Sequence, residues 1–283
     1  MTATTEAPTE ATAGHPLTPP SGGIGFGATM RVFGALLSRD IVVTGREVPS
    51  FLVKTLVQPF LMLFIFGKVL PDLGFIDGNF AQLLFPGVIA LNAFLGGLQA
   101  TAMPMILDFS FTREIEDRLL APVSMAVVAA EKVIFGALRG LLSGVVMIPI
   151  GFLILEGVHW QTSGLLPAFG LLVLCSLAAA AMGMVMGTFV PPNRIDLVFT
   201  AVLTPLMFTG ATQFPWSGLS NLPWFQVVCA LNPLTYASEG LRNVLLGSEV
   251  PSMDLWITLV ALTGMTVAML VAGVIGFKRR AVD

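Results

Sequence analysis

Between Asp108 and Arg118 six charged side chains fall within eleven residues, in the run DFSFTREIEDRLLAPVS. Arg113, Glu114, Glu116, Asp117 and Arg118 are followed by the apolar pair Leu119 and Leu120 and then by Pro122, which stops a helix. Leucines that fill a groove, beside mixed charges that fix register and reject wrong partners, do the chemistry of docking and not of bond making. A plain solvated loop is the other reading, although it has no use for the leucine pair. Spacing alone leaves both readings standing, an interaction helix and a loop.

The other polar residues exclude several activities. The two histidines, His15 and His159, stand far apart, so neither a metal site nor a Ser–His arrangement has its parts. A GxxxxGK[ST] loop is absent, and any work done with ATP must arrive from a partner. Cys175 and Cys229 lack metal or redox spacing and read as small buried hydrophobes. No acidic residue falls in the interior of an apolar run: Glu131 and Asp196 sit near run ends and Glu239 in a broken segment. That counts against a proton-coupled carrier, while sodium sites built from carbonyls and hydroxyls stay open. Arg139 is the one charge well inside an apolar run, read as snorkelling to the nearer interface with Lys132 on the same face, or else as part of a pathway. A net charge of −3 gives no footprint for nucleic acid.

The elements that position these residues follow from hydropathy. Of 283 residues 55% are hydrophobic and 11% charged, against about 25% charged in a soluble domain, and the mean hydropathy is +0.87. This is an all-α membrane protein. Residues 1–23, rich in Thr, Ala and Pro, read as a disordered cytoplasmic tail, and residues 24–283 as one membrane domain. From 24 to 47 apolar residues recur at helical spacing opposite Arg31, Arg39 and Arg46. Such a helix lies in the headgroup region or packs, solvated, on the protein itself. Six transmembrane helices are expected at about 51–70, 80–103, 127–155, 165–190, 197–214 and 255–277. Residues 215–250, apolar but broken by Pro215, Pro223 and Pro233, read as outer re-entrant helices before the last span.

Eleven Lys and Arg residues fall on the side of the N-terminus in this arrangement, against Lys68 and Arg242 on the other, which places both termini in the cytoplasm. The four tryptophans, Trp160, Trp216, Trp224 and Trp256, fall near the outer boundary as an aromatic belt would. Gly136, Gly140 and Gly144 on the third span, and Gly183 and Gly187 on the fourth, form small-residue ladders for close helix packing, within one subunit or across a dimer.

Two stretches carry a family resemblance. FTREIEDRLLAPVS ahead of the third span and LNPLTYASEGLRNVLLG ahead of the last are similar to the signature regions of ABC-2 type transporter permeases. These include permeases of daunorubicin-type drug exporters and of nodulation-factor, O-antigen and teichoic-acid exporters. The resemblance runs from the amphipathic helix to the C-terminus. It implies that Arg113 to Leu120 is a coupling helix seated in a separate ABC-type ATP-binding subunit, and that the segment with Arg31, Arg39 and Arg46 is an interfacial helix. It also implies that Asn232, Pro233, Tyr236, Glu239 and Arg242 belong to an outer gate. The chain itself would bind no cofactor, with ATP and Mg held by the partner ATPase. A second permease copy or a paralogue would complete a dimer working by alternating access in a bacterial plasma membrane. One departure from the family pattern is Ile115, Glu116 and Asp117, where a Gly-Thr pair often precedes the two leucines, so the docking surface would suit a particular ATPase.

With 21 Phe and 14 Met against one Tyr and four Trp, the composition suits a lipophilic or amphipathic cargo, drug or lipid, although Phe and Met also simply face lipid. A polysaccharide or glycolipid cargo would ask for more Tyr, Trp and polar side chains. An ion-coupled secondary transporter and a non-transporting assembly subunit are the rivals from other classes, and both leave the charged stretch without a task.

Overall fold

A computed structural model describes residues 26–45, 48–77, 79–109, 125–247 and 250–280. The N-terminal tail at 1–23, Arg46 and the charged segment Arg113 to Leu120 lie outside the described residues. Among the described residues the chain is helical throughout, without a strand. Helix α1 (Phe26–Gly45) precedes α2 (Val48–Phe64), which continues through a π turn (Ile65–Val69) to Asp72. Then come α3 (Phe80–Leu107), α4 (Met125–Ile154), α5 (Leu165–Phe189) and α6 (Ile195–Thr209). A 3₁₀ turn (Trp216–Asn221) and two shorter helices, α7 (Pro223–Ala230) and α8 (Pro233–Leu246), lead to α9 (Leu255–Arg280).

Helix α3 is the axis of the fold. Its residues are apolar or small nearly all the way round, and most of its length is buried by α4 and α5. Glycines on all three helices let the backbones meet. A methyl group on Gly140 would lie 2.6 Å from the Ala93 carbonyl oxygen and 2.8 Å from Gly97 Cα. One on Gly183 would lie 2.6 Å from the Leu98 carbonyl oxygen. Both glycine ladders therefore pack on α3 within the chain, which answers the question the sequence left open. At mid-helix the buried Asn92 donates from Nδ2 to the Ser143 carbonyl at 2.6 Å, the kind of polar contact that joins helices where water is absent.

Helices α2 and α9 sit at the periphery and keep long apolar faces exposed, with Val53, Val57 and Leu61 on the first and Val260, Val267 and Val271 on the second. Five helices among the described residues are long and apolar enough to cross a bilayer: α2 extended to Asp72, α3, α4, α5 and α9. The expected fifth span differs. Its helix, α6, has 15 residues, about 22 Å, which falls short of the roughly 30 Å hydrocarbon core. It stops at Thr209 because Gly210 and then Ala211, at φ +48°, turn the backbone out of the helix.

The aromatic belt also divides. Trp224 and Trp256 are exposed, as an interfacial position requires, while Trp160 is stacked against Phe85 with centroids 5.0 Å apart. Trp216 donates from Nε1 to the Gln226 carbonyl at 3.1 Å and holds the outer segment to itself. Cys175 and Cys229 are buried free thiols, as read from their surroundings in the sequence.

Replacing Gly140 or Gly183 by leucine is expected to cost about 3 kcal/mol, the upper part of the overpacking range, because the atoms in the way are backbone. Gly170→Leu, where a side chain meets nothing within 4 Å, is expected to be neutral. Thermal unfolding of the three purified variants in detergent measures the difference.

Candidate functional site

The motif residues ahead of the last span gather at the N-terminal end of α3. Asn232 is the N-cap of α8: its Oδ1 accepts from the Leu234 N–H at 2.9 Å, and Pro233 occupies the first helical position, where no N–H is required. The Asn232 Nδ2 donates to the Leu206 carbonyl at 2.7 Å and to Thr209 Oγ1 at 2.9 Å, and Thr235 Oγ1 donates to the Thr209 carbonyl at 3.0 Å. These bonds satisfy carbonyls that α6 strands by ending early. Tyr236 donates from its hydroxyl to the Ala230 carbonyl at 2.7 Å, closing the C-terminal end of α7 in the same way.

Arg242 and Glu239 form the centre of this end. Both side chains are wholly buried and pair at 2.6 Å, one turn apart on α8. The guanidinium also donates to the carbonyls of Leu83 on α3, at 3.0 Å, and of Ala211 and Thr212 in the break after α6, at 2.5 and 2.8 Å. The carboxylate accepts from the Trp216 N–H at 3.0 Å and from the Met253 N–H at 2.9 Å. One ion pair thus ties α3, the break, the 3₁₀ turn and the entry to α9 to α8. Gly87 on α3 leaves room for it, since a methyl there would run into the Thr212 carbonyl and lie 2.8 Å from Arg242 Nη2. Arg242, counted by the sequence reading among the charges on the side opposite the N-terminus, is thus a buried structural residue.

The other end of α3 carries the charged stretch. Lys132, on α4, is buried and pairs with Asp108 at 3.2 Å and with Asp40 of α1 at 3.4 Å. Asp108 and Phe109 are the last described residues before the charged segment. Phe109 meets Phe277 of α9 edge-on at 5.4 Å between centroids and lies 5.0 Å beneath the Arg280 guanidinium. Arg280 in turn donates to the carbonyls of Gly187, Thr188 and Val190, the end of α5. The root of the charged stretch is thus gripped by α1, α4 and α9 together. The Arg139 guanidinium sits over the Phe51 ring, 3.9 Å from its centroid, which holds it against α2.

On α1 Arg31 and Arg39 are exposed, Met30 and Ile41 are exposed as well, and Asp40 pairs with Lys132. The helix thus docks on the protein and still offers an apolar face outward. The two ends of α3 are not brought together, since Leu83 and Asp108 are separated by about 37 Å of helix. Lys132, Asp40 and Arg280 carry no site role in the sequence reading, where Lys132 entered as a companion of Arg139 in snorkelling and, with Arg280, as a topology charge. Neighbouring Glu131 and Lys132, at the start of an apolar run, were the available signal.

These features define a helical membrane protein, with five helices among the described residues long and apolar enough to cross a bilayer. The family model of the ABC-2 type transporter matches residues 31–246, from α1 to the end of α8, and the chain belongs to that family. The inner membrane transport permease YadH of Escherichia coli strain K12 is 31% identical over 241 residues, covering 81% of this chain and 89% of YadH. The transport permease ycf38 of Cyanophora paradoxa is 25% identical over 220 residues, 73% of this chain and 72% of that one. Its namesake from Porphyra purpurea is 26% identical over 222 residues, 74% and 72%. The chain is a multi-pass transport permease.

Glu239→Leu and Arg242→Leu are each expected to cost about 3–5 kcal/mol, because each strands a buried charge. The double variant is expected to cost less than the sum, since no charge is stranded, but to stay below wild type because three carbonyls lose their donor. Thermal unfolding of the four proteins completes the cycle.

Proposed function

We propose that this permease is the transmembrane subunit of an ATP-driven exporter that moves a lipophilic or amphipathic substrate out of the cytoplasm or the inner leaflet. Arg113 to Leu120 is its coupling helix, and a separate ABC-type ATPase holds the ATP and Mg. The observation that carries this reading is the clamp on the root of the charged stretch. A buried lysine bridging Asp108 to Asp40, and the Arg280–Phe109–Phe277 stack, let a displacement of that stretch reach α1, α4 and α9 at once. A solvated loop has no need of such an anchor. ATP binding shifts the spans between two packings only if the coupling helix is held differently in each, and the clamp is where that difference enters the bundle.

Helix α6 and the broken segment after it make one crossing in two pieces, α6 supplying about 22 Å and the non-helical stretch from Gly210 the rest. With that crossing counted, both termini lie in the cytoplasm, and the basic residues of α1 and the Lys278–Arg280 end of α9 share that side. α7 and α8 then re-enter from outside, and the Glu239–Arg242 pair holds the outer gate. The amphipathic cargo is supported by a cavity of about 230 Å³ between α2, α3 and α6. It is lined by Gln58, Gln99, Thr200 and Thr204 beside Phe199 and Leu203, a wall with both polar and apolar faces. The apolar faces left on α2 and α9 suit lipid and a second permease copy or paralogue in a bacterial plasma membrane.

Affinity purification from the native membrane tests the reading directly. Wild type is expected to bring down a P-loop ATPase and Glu114→Ala/Arg118→Ala to lose it; recovery of folded wild type with no ATPase overturns the proposal. Lys132→Met is expected to keep the ATPase bound but to lower transport per ATP hydrolysed by about fivefold or more, the lower bound of an ordinary coupling energy. Substrate flux and phosphate release, measured together in proteoliposomes, give that ratio.

A further inference from the structure

Four polar side chains from three helices line the cavity of about 230 Å³ beside α6: Gln58 of α2, Gln99 of α3, and Thr200 and Thr204 of α6. All four stand well in from the helix ends. Gln58 is about 15 Å past the start of α2, Gln99 about 12 Å from the end of α3, and the two threonines about 8 and 14 Å past the start of α6. Their hydrogen-bonding capacity is hardly used. The Gln58 amide donates only to the Met207 sulfur, at 3.2 Å, a weak acceptor, and Gln99, Thr200 and Thr204 make no hydrogen bond to a described residue. Hydroxyls elsewhere in the bundle bond back to their own helix, as Thr55 does to the Phe51 carbonyl at 2.8 Å and Thr209 to that of Pro205 at 2.9 Å. An amide or hydroxyl left unpaired in hydrocarbon is costly. Among the described residues on these walls none is charged, and the others are apolar: Leu95, Phe199, Leu203 and Met207.

We infer that this cavity receives the head group of the cargo, and that the group is uncharged and both donates and accepts hydrogen bonds, as hydroxyls and amides do. Two carboxamides and two hydroxyls offer donors and acceptors together, which matches such a group and gives an ion no partner of opposite charge. The volume falls below the roughly 300–1,000 Å³ of a site that encloses a drug-sized ligand, so the head group enters and the apolar part stays outside. A place for that part is at hand. Phe208, exposed and one turn beyond Thr204 on the same face of α6, lies deeper in the bilayer than either threonine, so a tail laid over it points to the bilayer centre. A helix face that only docks a second copy has no use for a hollow. The inference rests on this cavity being the cargo site, and it narrows the cargo to neutral amphiphiles.

Full-length permease in lipid nanodiscs is titrated with radiolabelled decyl glucoside, decanamide, decyl sulfate or decyltrimethylammonium, and binding above the partition into empty nanodiscs is measured. The first two probe hydroxyls and amides separately. At least one of them is expected to bind saturably and more tightly than either ion, and Gln58→Leu and Thr204→Val are each expected to weaken it by about fivefold. Thr263→Val, which removes an exposed hydroxyl on α9, is expected to leave binding unchanged. Binding of an ion as tight as that of the neutral probes overturns the uncharged class and leaves the cavity as the cargo site. No saturable binding of any probe, or unchanged binding in both cavity variants, overturns the cavity itself. A shift from dimer to monomer in Gln58→Leu with binding unchanged assigns these side chains to a second copy and overturns the inference too. Should Gln58→Leu fail to fold, Thr204→Val decides alone, since Thr204 is exposed and valine keeps its shape. Recovery of an ATPase, on which the exporter reading stands, enters none of these outcomes.

Discussion

A carbonyl inside a bilayer has no water to turn to, and much of this structure follows from that one constraint. A continuous helix meets it internally. The stretch after α6 cannot, because Ala211 leaves the helix and its carbonyl and that of Thr212 face inward with no N–H from their own segment. Arg242 supplies the missing donors. Burying a guanidinium then demands a carboxylate, Glu239, and that carboxylate's remaining lone pairs are taken by the N–H groups of Trp216 and Met253. Each group in the set is there because another would otherwise be unsatisfied, so the broken segment has one way to close.

The close packing of α3 gives that arrangement its frame. Glycine-mediated contact with α4 and α5 leaves no slack, so α3 acts as a strut between the Leu83 carbonyl, held by Arg242, and Asp108, held by Lys132. The peripheral helices each keep one apolar face exposed and pack by the other, α9 on α5 through Gly273 and Gly276 and α2 through Thr55, Pro59 and Leu63.

Hydropathy alone reads α2, α3, α4, α5 and α9 to within a few residues, because a bilayer span is a property of the local run. It extended the fifth span to Phe214 because FTGATQF is apolar enough to pass, and hydropathy does not sense a positive φ at Ala211. The start of α8 was legible in Asn232–Pro233, a cap followed by a residue that tolerates the first turn. Glu239 and Arg242 were legible as motif members but not as a buried pair, since their partners come from residues 83, 211, 212, 216 and 253. Lys132 was hidden for a similar reason. Its acids are 92 and 24 positions away, and a lysine near a span end looks the same whether it snorkels or pairs.

The chain order of the outer pair bears on how the protein is made. Ala211 leaves the ribosome 31 residues before the arginine that satisfies its carbonyl. At ordinary elongation rates of about 5–20 residues per second, α6 and its broken end wait roughly 2–6 s before Arg242 is synthesised. During that interval the segment is too short to span and too apolar for water, so it needs shelter from the insertion machinery or from the already assembled α3. A pause in translation between Ala211 and Arg242 would lengthen that interval.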